Sequence, residues 1–416
     1  MVIEAGVAGA VDGQGVDQLL LQRHNLRIFS TIVASGSVTT AALAINKSPS
    51  AVVRGLAELE RALGLTLLER RRGGVSMTQY GDVLFARLRR IEAETDVVVA
   101  ELARVPGTSV AALRHVLYNG RKLLLMIHLA DEGTVAGAAA LLAVTQPGAS
   151  LALGRIEESI GIALFYRNLQ GVFPTDAAAR IVLRAKRIRA ELRHALSDLA
   201  ALGGGASGTL VVGTLPMART DILPRAIGAC LDASPHVRVQ IVEAQREALL
   251  AKLRSGEIDA VLAAPSASFD PRGLIVESLF LDRLIVVASR DHPLASAREV
   301  TLHQIASAKW ILPWENAVSR VLFDDQFAKQ GVEPPSPLIQ TGDLLVMRPL
   351  LARGDMLAFT SASLVRYEID MGALVEIDVQ MDELIREVVL LRRERAQLPA
   401  SALLLVDELK KVMAAQ

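Results

Sequence analysis

The sequence predicts a multi-domain chain: two similar helix-rich modules, each trailing a long helix, followed by an α/β half. Three observations carry that expectation. The 416 residues exceed what one ordinary core fills, so two to four domains are expected. A pattern in the first half returns after an offset of 97 residues. Beyond "GGGAS" (Gly203 to Ser207) the texture changes from helical spacing to short β-branched runs separated by helical stretches.

Half of the chain is hydrophobic, aromatics are few and the formal net charge is zero, a composition of folded rather than disordered or fibrous proteins. The balance hides an asymmetry: residues 1–202 carry a surplus of five positive charges and the remainder five negative ones. A polyanion would therefore bind at the front. The lone Cys230 excludes an intramolecular disulfide framework and fits a reducing, cytoplasmic setting. "MVIEAGVAGAVDGQGVDQ" lacks the basic start and apolar block of a secretory signal and reads as a frayed lead-in. Gly133 to Gly154 is uncharged and of bilayer-spanning length, but Gln146-Pro147-Gly148 would stop a helix in its middle, so no membrane is expected. The seven histidines lack metal-ligand spacing, and no nucleophile elbow or phosphate loop is present. Neither an enzyme nor a cofactor or metal site is expected.

The repeat runs without a gap. Gly36 falls on Gly133, Ala41-Ala42 on Ala138-Ala139, Glu60 on Glu157, Gly64 on Gly161 and Arg70 on Arg167. Each copy reads as a first helix ending at a glycine, then a short alanine-rich helix. A third helix is opened by Ser48-Pro49-Ser50 or Thr145-Gln146-Pro147, with a hydroxyl for the N-cap and proline in the first turn. Apolar residues recur at helical spacing along it: Val52, Leu56, Leu59 and Leu63, against Ala149, Leu153, Ile156 and Ile160. "ERRRGGVSMT" and "YRNLQGVFPT" then form a hairpin wing. Helix, turn, helix and wing suit the major groove of double-stranded DNA, with the start of the third helix reading bases. Thr39, Thr40, Ser48, Pro49, Ser50, Arg54, Arg70, Arg71 and Arg72 are the candidate contacts in copy one. Thr145, Gln146, Pro147, Ser150 and Arg167 are those of copy two. For Ser48, Ser50 and Thr145 a purely structural capping role stays open beside a DNA contact.

Both copies resemble the winged helix-turn-helix of LysR-type transcriptional regulators. Copy one keeps "SPSAVVR", "LERALGLTLLER" and "GGVSMTQYG", and copy two keeps "TQPGAS", "IEESIGIALFYR" and "GVFPT", in the order of that family. The departures fall mainly in copy two: Leu151 replaces the arginine that copy one supplies as Arg54, and Ala178 stands for the wing glycine. Its wing tip is Asn168-Leu169-Gln170 instead of Arg71-Arg72-Gly73. Copy one has its own departure, Lys47 where an apolar turn residue is usual. Because phosphate contacts from Arg and Lys supply most nonspecific affinity, copy one is expected to be the better DNA binder. The resemblance implies that linker helices pair subunits, so a dimer or tetramer joined by linker helices and effector domains is expected, with RNA polymerase a candidate partner.

In the back half, "LRSGEIDAVLAA", "ESLFLDRLIVVASRDHPLA" and "WILP" resemble the effector-binding half of the same family, itself similar to periplasmic binding proteins. "GTLPMARTDILPRAI" resembles the subgroup of galactose-binding-protein and protocatechuate-pathway regulators. The expected fold is thus two all-α-rich winged helix-turn-helix domains with long linker helices, then a periplasmic-binding-protein-like α/β domain of mainly parallel sheet. Expected boundaries are 19–81, a linker 82–112, 113–178, a linker and hinge 179–207, and an effector domain 208–416. Its subdomain I comprises 208–282 with 386–416, and its subdomain II 283–385. A small-molecule effector is expected in the cleft between them, at Thr214, Leu215, Pro216, Met217, Ala218, Arg219 and Thr220 on one side. Pro313, Trp314, Thr341, Gly342 and Asp343 face them. A small organic acid, aromatic acid or sugar controlling a catabolic or transport operon fits this reading. The rival is a small-molecule-binding protein whose winged helices serve assembly.

Overall fold

The computed structural model describes residues 13–71, 74–266 and 268–414. Arg72 and the side chain of Arg70 lie outside the described residues, as does the lead-in before Gly13. The rest of that lead-in is not frayed: Gly13–Leu21 forms α1, which buries Val16, Leu19 and Leu20. Apolar residues three and four apart give it one core-facing side.

Two units of the same element order follow. In unit one, α2 (Arg23–Ser35), α3 (Val38–Ala44) and α4 (Pro49–Leu63) lead to a hairpin of β1 (Leu68–Arg71) and β2 (Gly74–Met77). A long helix α5 (Gln79–Leu102) and a short α6 (Val110–Leu117) come next. Unit two repeats the plan with α7 (Gly120–Glu132), α8 (Val135–Leu141), α9 (Gln146–Ile160), β3 (Phe165–Asn168), β4 (Gly171–Pro174) and the long α10 (Asp176–Ala201). The stretch weighed as a membrane span is divided between α8 and α9, which bend by 102°. Among the described residues no single helix is long and apolar enough to cross a membrane.

Small devices hold each unit, and they recur 97 residues apart. Glu60 Oε1 accepts the amides of Leu67 (2.7 Å) and Leu68 (3.3 Å); Glu157 Oε1 accepts those of Leu164 (2.7 Å) and Phe165 (3.0 Å). A carboxylate reaching forward from the third helix thus fixes where the hairpin begins. Gly74 and Gly171, both at positive φ, bring the hairpin against the carbonyls of Gly36 and Gly133, where an added Cβ would lie 2.9 Å and 2.6 Å away. The turn before the third helix needs a left-handed residue: Asn46 in unit one (φ 53°) and Ala143 in unit two (φ 52°). Asn tolerates that region, whereas an L-residue such as Ala is strained there.

The two long helices pack on each other inside one chain. Linker pairing was expected between subunits, but here the chain's own second linker fills the seam. On α5 the buried positions include Leu84, Leu88, Ile91, Thr95, Val98 and Leu102; on α10 they include Ile181, Ala185, Ile188, Leu192, Ala195 and Leu199. Both sets step four, three, four, three, four, the spacing of a coiled-coil seam. Each fully buried Leu or Ile there contributes about 1.5–3 kcal/mol. Ion pairs flank the seam and show that the helices run antiparallel. Arg87 donates to Glu191 (3.0 Å) and Asp198 (2.6 Å), while Arg184 donates to Glu94 (2.8 Å) and Glu101 (3.1 Å).

Among the described residues, the second half is one sheet of nine strands in the order Ile339–Gln340, Trp310–Leu312, Leu357–Ser361, Leu274–Ser289, Leu384–Arg393, Ala260–Ala263, Gly208–Thr214 and Val237–Glu243, with Leu374–Glu376 beside Leu274–Ser289. β5 (Gly208–Thr214) lies parallel to β6 (Val237–Glu243) and β7 (Ala260–Ala263). β9 (Trp310–Leu312) lies parallel to β10 (Ile339–Gln340) and β11 (Leu357–Ser361). The long β8 (Leu274–Ser289) and β13 (Leu384–Arg393) join these groups and run antiparallel to their neighbours; β12 (Leu374–Glu376) also pairs antiparallel. The sheet is therefore mixed rather than mainly parallel, because both crossing strands oppose the strands they touch. A near lobe packs α11 (Ile222–Ala233), α12 (Arg246–Ser255) and α17 (Ala400–Ala414) on the β5 side. A far lobe packs α13 (Leu302–Ala306) and α14 (Val318–Lys329) with Trp310, Phe323 and Phe359, while α15 (Leu344–Leu351) and α16 (Arg366–Asp370) pack in a second cluster with Ile311 and Ala358.

α10 is also the bond between halves. Buried Asp259 accepts from Arg193 Nη1 (2.6 Å) and Nη2 (2.8 Å), and from the Val211 amide at 2.9 Å. His194 Nε2 lies 2.7 Å from the same carboxylate, while its Nδ1 has no hydrogen-bond partner among the described residues. Burial pushes the His194 pKa down, against the opposing pull of the Asp259 carboxylate. Burial alone would raise the Asp259 pKa, but the Arg193 guanidinium and His194 hold it well below the carboxylate range.

These contacts can be tested by substitution. Asp259→Asn leaves Arg193 buried without its counter-charge and is expected to cost about 3–5 kcal/mol, read as a lowered Tm at pH 7. The folded pKa of Asp259 is depressed, so its contribution is present above the unfolded carboxylate pKa and is lost as pH falls below about 5. The wild-type advantage over Asp259→Asn should therefore shrink in melts at acid pH. Separately, Ala143→Gly relieves the left-handed strain and is expected to raise Tm by about 1–2 °C. Asn46→Ala should lower it.

Candidate nucleic-acid interface and effector cleft

The third helix of each unit, α4 or α9, buries one side against its own unit and leaves the other open. In α4 Val52, Gly55, Leu59 and Leu63 are buried, while Ser48, Pro49, Ser50 and Arg54 are exposed. The Ser48 side chain caps the helix by accepting from the Ala51 amide (3.2 Å), and its hydroxyl lies 3.0 Å from that of Ser50. Thr39 and Thr40 are exposed at the start of α3, and Arg71 at the hairpin sits 4.0 Å from Glu69. Ser50 and Arg54, four residues apart, thus put a hydroxyl and a guanidinium on the open side of α4, groups suited to phosphate oxygens and base edges.

Unit two places its counterparts on the equivalent face with different chemistry. Thr145 caps α9 by accepting from the Gly148 amide (3.2 Å), and Gln146 and Pro147 are exposed in the first turn. Arg167 Nη2 donates to Ser150 Oγ (2.7 Å), so the hairpin arginine is tied to α9. Leu151 is 56% exposed and Leu169 stands fully in solvent at the hairpin tip. An apolar side chain so placed loses nothing by meeting another apolar group and can make no ion pair.

In the α/β half, the cleft candidates divide between two strand edges. Thr214 ends β5 and is buried; a 3-10 turn at Pro216–Ala218 follows, with Leu215 before it and Met217 and Ala218 packed inward. Arg219 is already engaged, donating to Glu243 (3.1 Å) and to the Thr214 carbonyl (3.2 Å). Pro313 and Trp314 follow β9, and Thr341, Gly342 and Asp343 follow β10, where the Thr341 amide donates to the Leu312 carbonyl (2.9 Å). Trp314 is 61% exposed. Asp343 caps α15, accepting from the Leu345 amide (2.9 Å). Far-lobe candidates therefore gather at the carboxyl ends of parallel strands, where α/β sheets bind ligands.

The loop after β11, which the residue pattern did not single out, joins them. Thr220 Oγ1 donates to the Ser363 carbonyl (2.9 Å), and Arg366 lies 3.6 Å from Asp221, so near and far lobes touch here. Behind the loop, Ser361 Oγ donates to buried Asp282 (2.6 Å), which also pairs with Arg386 (2.7 Å). The signal was present in "MLAFTSAS", an apolar strand ending in hydroxyl residues, but no local pattern announces partners 79 and 104 positions apart. A cavity of about 260 Å³ lies elsewhere, between α1, α10 and the near lobe. Its cations are already matched: Lys186 with Asp131 and Glu257, Arg189 with Asp17, Arg193 with Asp259. Among the described residues no cluster of three or more His, Cys, Asp or Glu could hold a metal.

Comparison with known proteins agrees with this geometry. The family model for the bacterial regulatory helix-turn-helix protein, lysR family, matches residues 24–82 and again 121–179, and the LysR substrate binding domain matches 203–414. The chain is 33% identical over 401 residues to the HTH-type transcriptional regulator GalR of Pseudomonas putida, across 96% of this chain and 100% of that protein. It is 25% identical over 238 residues to the regulator GbpR of Rhizobium radiobacter, across 57% of this chain and 79% of the relative. Among solved structures, CbnR, a LysR family transcriptional regulator, covers 70% of this chain and 98% of its own at TM-score 0.51 and 19% identity. A full-length, singly substituted OxyR from Pseudomonas aeruginosa covers 71% and 96% at TM-score 0.50 and 21% identity. These two likenesses concern the fold alone. With the helix-turn-helix model matching the helical units and the substrate-binding model matching the α/β half, the chain belongs to the LysR-type family of transcriptional regulators and is a ligand-responsive DNA-binding regulator.

Proposed function

We propose that units one and two are duplicated winged helix-turn-helix domains, and that unit one supplies most of the DNA affinity. The observation that carries this is the loss of charge between equivalent exposed positions. Lys47, Arg54 and Arg71 of unit one become Val144, Leu151 and Asn168 in unit two. Each phosphate contact by Lys or Arg releases counterions, so the unit holding the cations dominates nonspecific affinity and its salt dependence. In a gel-shift with fragments upstream of its own gene, Arg54→Ala combined with Arg71→Ala should weaken binding at least tenfold. Gln146→Ala should stay within a fewfold of wild type. The reverse ranking overturns the assignment to unit one.

The effector site of this reading is the ring of strand ends at Thr214–Thr220, Pro313–Trp314 and Thr341–Asp343. A small organic acid, aromatic acid or sugar would bind there and control a catabolic or transport operon. A ligand carboxylate would compete with Glu243 for Arg219, drawing the guanidinium into the cleft. Since the linker seam is filled within the chain, assembly of several chains falls to the effector domains. The ligand acts only by binding one arrangement of the lobes more tightly than another, and the Thr220–Ser363 contact is placed to differ between them. A thermal-shift screen with such acids and sugars should yield a ligand that raises Tm in wild type and far less in Arg219→Ala. A shift that persists unchanged in Arg219→Ala removes the arginine from the site.

A further inference from the structure

The ion pairs beside the linker seam are not merely similar; they are mates under a two-fold exchange of the two copies. Adding 97 to Arg87, Glu94 and Glu101 gives Arg184, Glu191 and Asp198. The pairs Arg87–Glu191 and Arg87–Asp198 therefore map onto Arg184–Glu94 and Arg184–Glu101. Arg90–Glu191 (3.1 Å) maps onto Arg187–Glu94 (3.6 Å) in the same way. Residue i meets j, and the equivalent of j meets the equivalent of i, the rule of a self-complementary dimer contact. Here both sides belong to one chain.

The two units hung on this seam both bury apolar residues at equivalent positions of the third helix, Val52, Leu59 and Leu63 against Ala149, Ile156 and Ile160, and differ on the open side. At equivalent positions outside the buried face of the third helix, Val53 stands against Ser150, Arg54 against Leu151, and Glu58 against Arg155. Proteins with two-fold symmetry bind palindromic sites because both heads read alike. A two-fold scaffold with unlike heads has no such requirement. Arg54 presents a guanidinium suited to guanine O6 and N7, whereas Leu151 presents an apolar surface suited to a thymine methyl.

We propose that a single chain is a complete two-headed DNA reader whose operator consists of two unlike half-sites. Unit one reads a half-site with guanine opposite Arg54, and unit two reads an A·T half-site with a thymine methyl against Leu151. The proposal rests on the DNA-reading assignment of the previous subsection and deepens it by naming the partner: a non-palindromic duplex.

Selection of bound duplexes from a randomised library by the full chain tests it, followed by binding measurements on redesigned sites. The selected duplex should contain two different half-sites. Duplexes rebuilt as inverted repeats of either half alone should bind at least tenfold more weakly than the composite. Leu151→Arg should change base preference in the A·T half only, and Arg54→Leu in the guanine half only. A palindromic selected site, symmetrised duplexes bound as tightly as the composite, or either substitution altering both halves overturns the proposal and leaves DNA reading intact. No duplex retained at low salt overturns DNA reading itself, and this proposal with it.

Discussion

The packing of α5 against α10 is the contact on which the remaining architecture hangs. Six positions of each helix are buried at the same heptad steps, and the flanking arginines reach carboxylates on the opposite helix. Each unit is attached to one end of this antiparallel pair, so its orientation is inherited from the seam. A lone amphipathic helix of this length would leave its apolar stripe in water. Having both helices in one chain supplies the covering helix at no cost in association entropy, which a contact between separate subunits must overcome.

The two linker helices diverge where their surroundings differ. Their seam positions are alike, but α10 has a second buried side that α5 lacks. His194 is buried against Asp259, whereas its equivalent, Val97, is exposed. Only α10 continues into the sheet, through the close approach of Gly208 to Ser197. α5 reaches the effector half more lightly, with Arg87 and Arg90 donating to the carbonyls of Gln397 and Arg395. Arg87 thus touches α10 and the effector half at once. A shift of the near lobe under α10 would be felt at both helices of the seam, and so at both units attached to it.

Much of the chain was legible from its residues. The repeat, the capped third helices, the hairpins and the change of texture after residue 207 follow from local chemistry: periodicity, proline and hydroxyl placement, and turn glycines. Two local features escaped. Gly13 to Gln18 looks like a lead-in because its lone Val16 means little until α7 and α10 supply a surface for it. The small hydroxyl residues after β11 looked like the end of a strand until Thr220 met Ser363 across the lobes.

Residue order alone dictated which segments would be helix, hairpin or strand, and which faces would be apolar. Those properties depend on neighbours a few positions away along the chain. Residue order also dictated that the exposed faces of the two units differ, since the offset of 97 compares them directly. Which apolar stripe meets which was settled by the folded chain. A heptad stripe states that a partner exists without saying whether it belongs to the same chain, and the choice falls to chain connectivity and to charges 104 residues apart. The direction of β8 and β13 was settled there too, because strands of identical composition pair either way until the lobes they cross are in place.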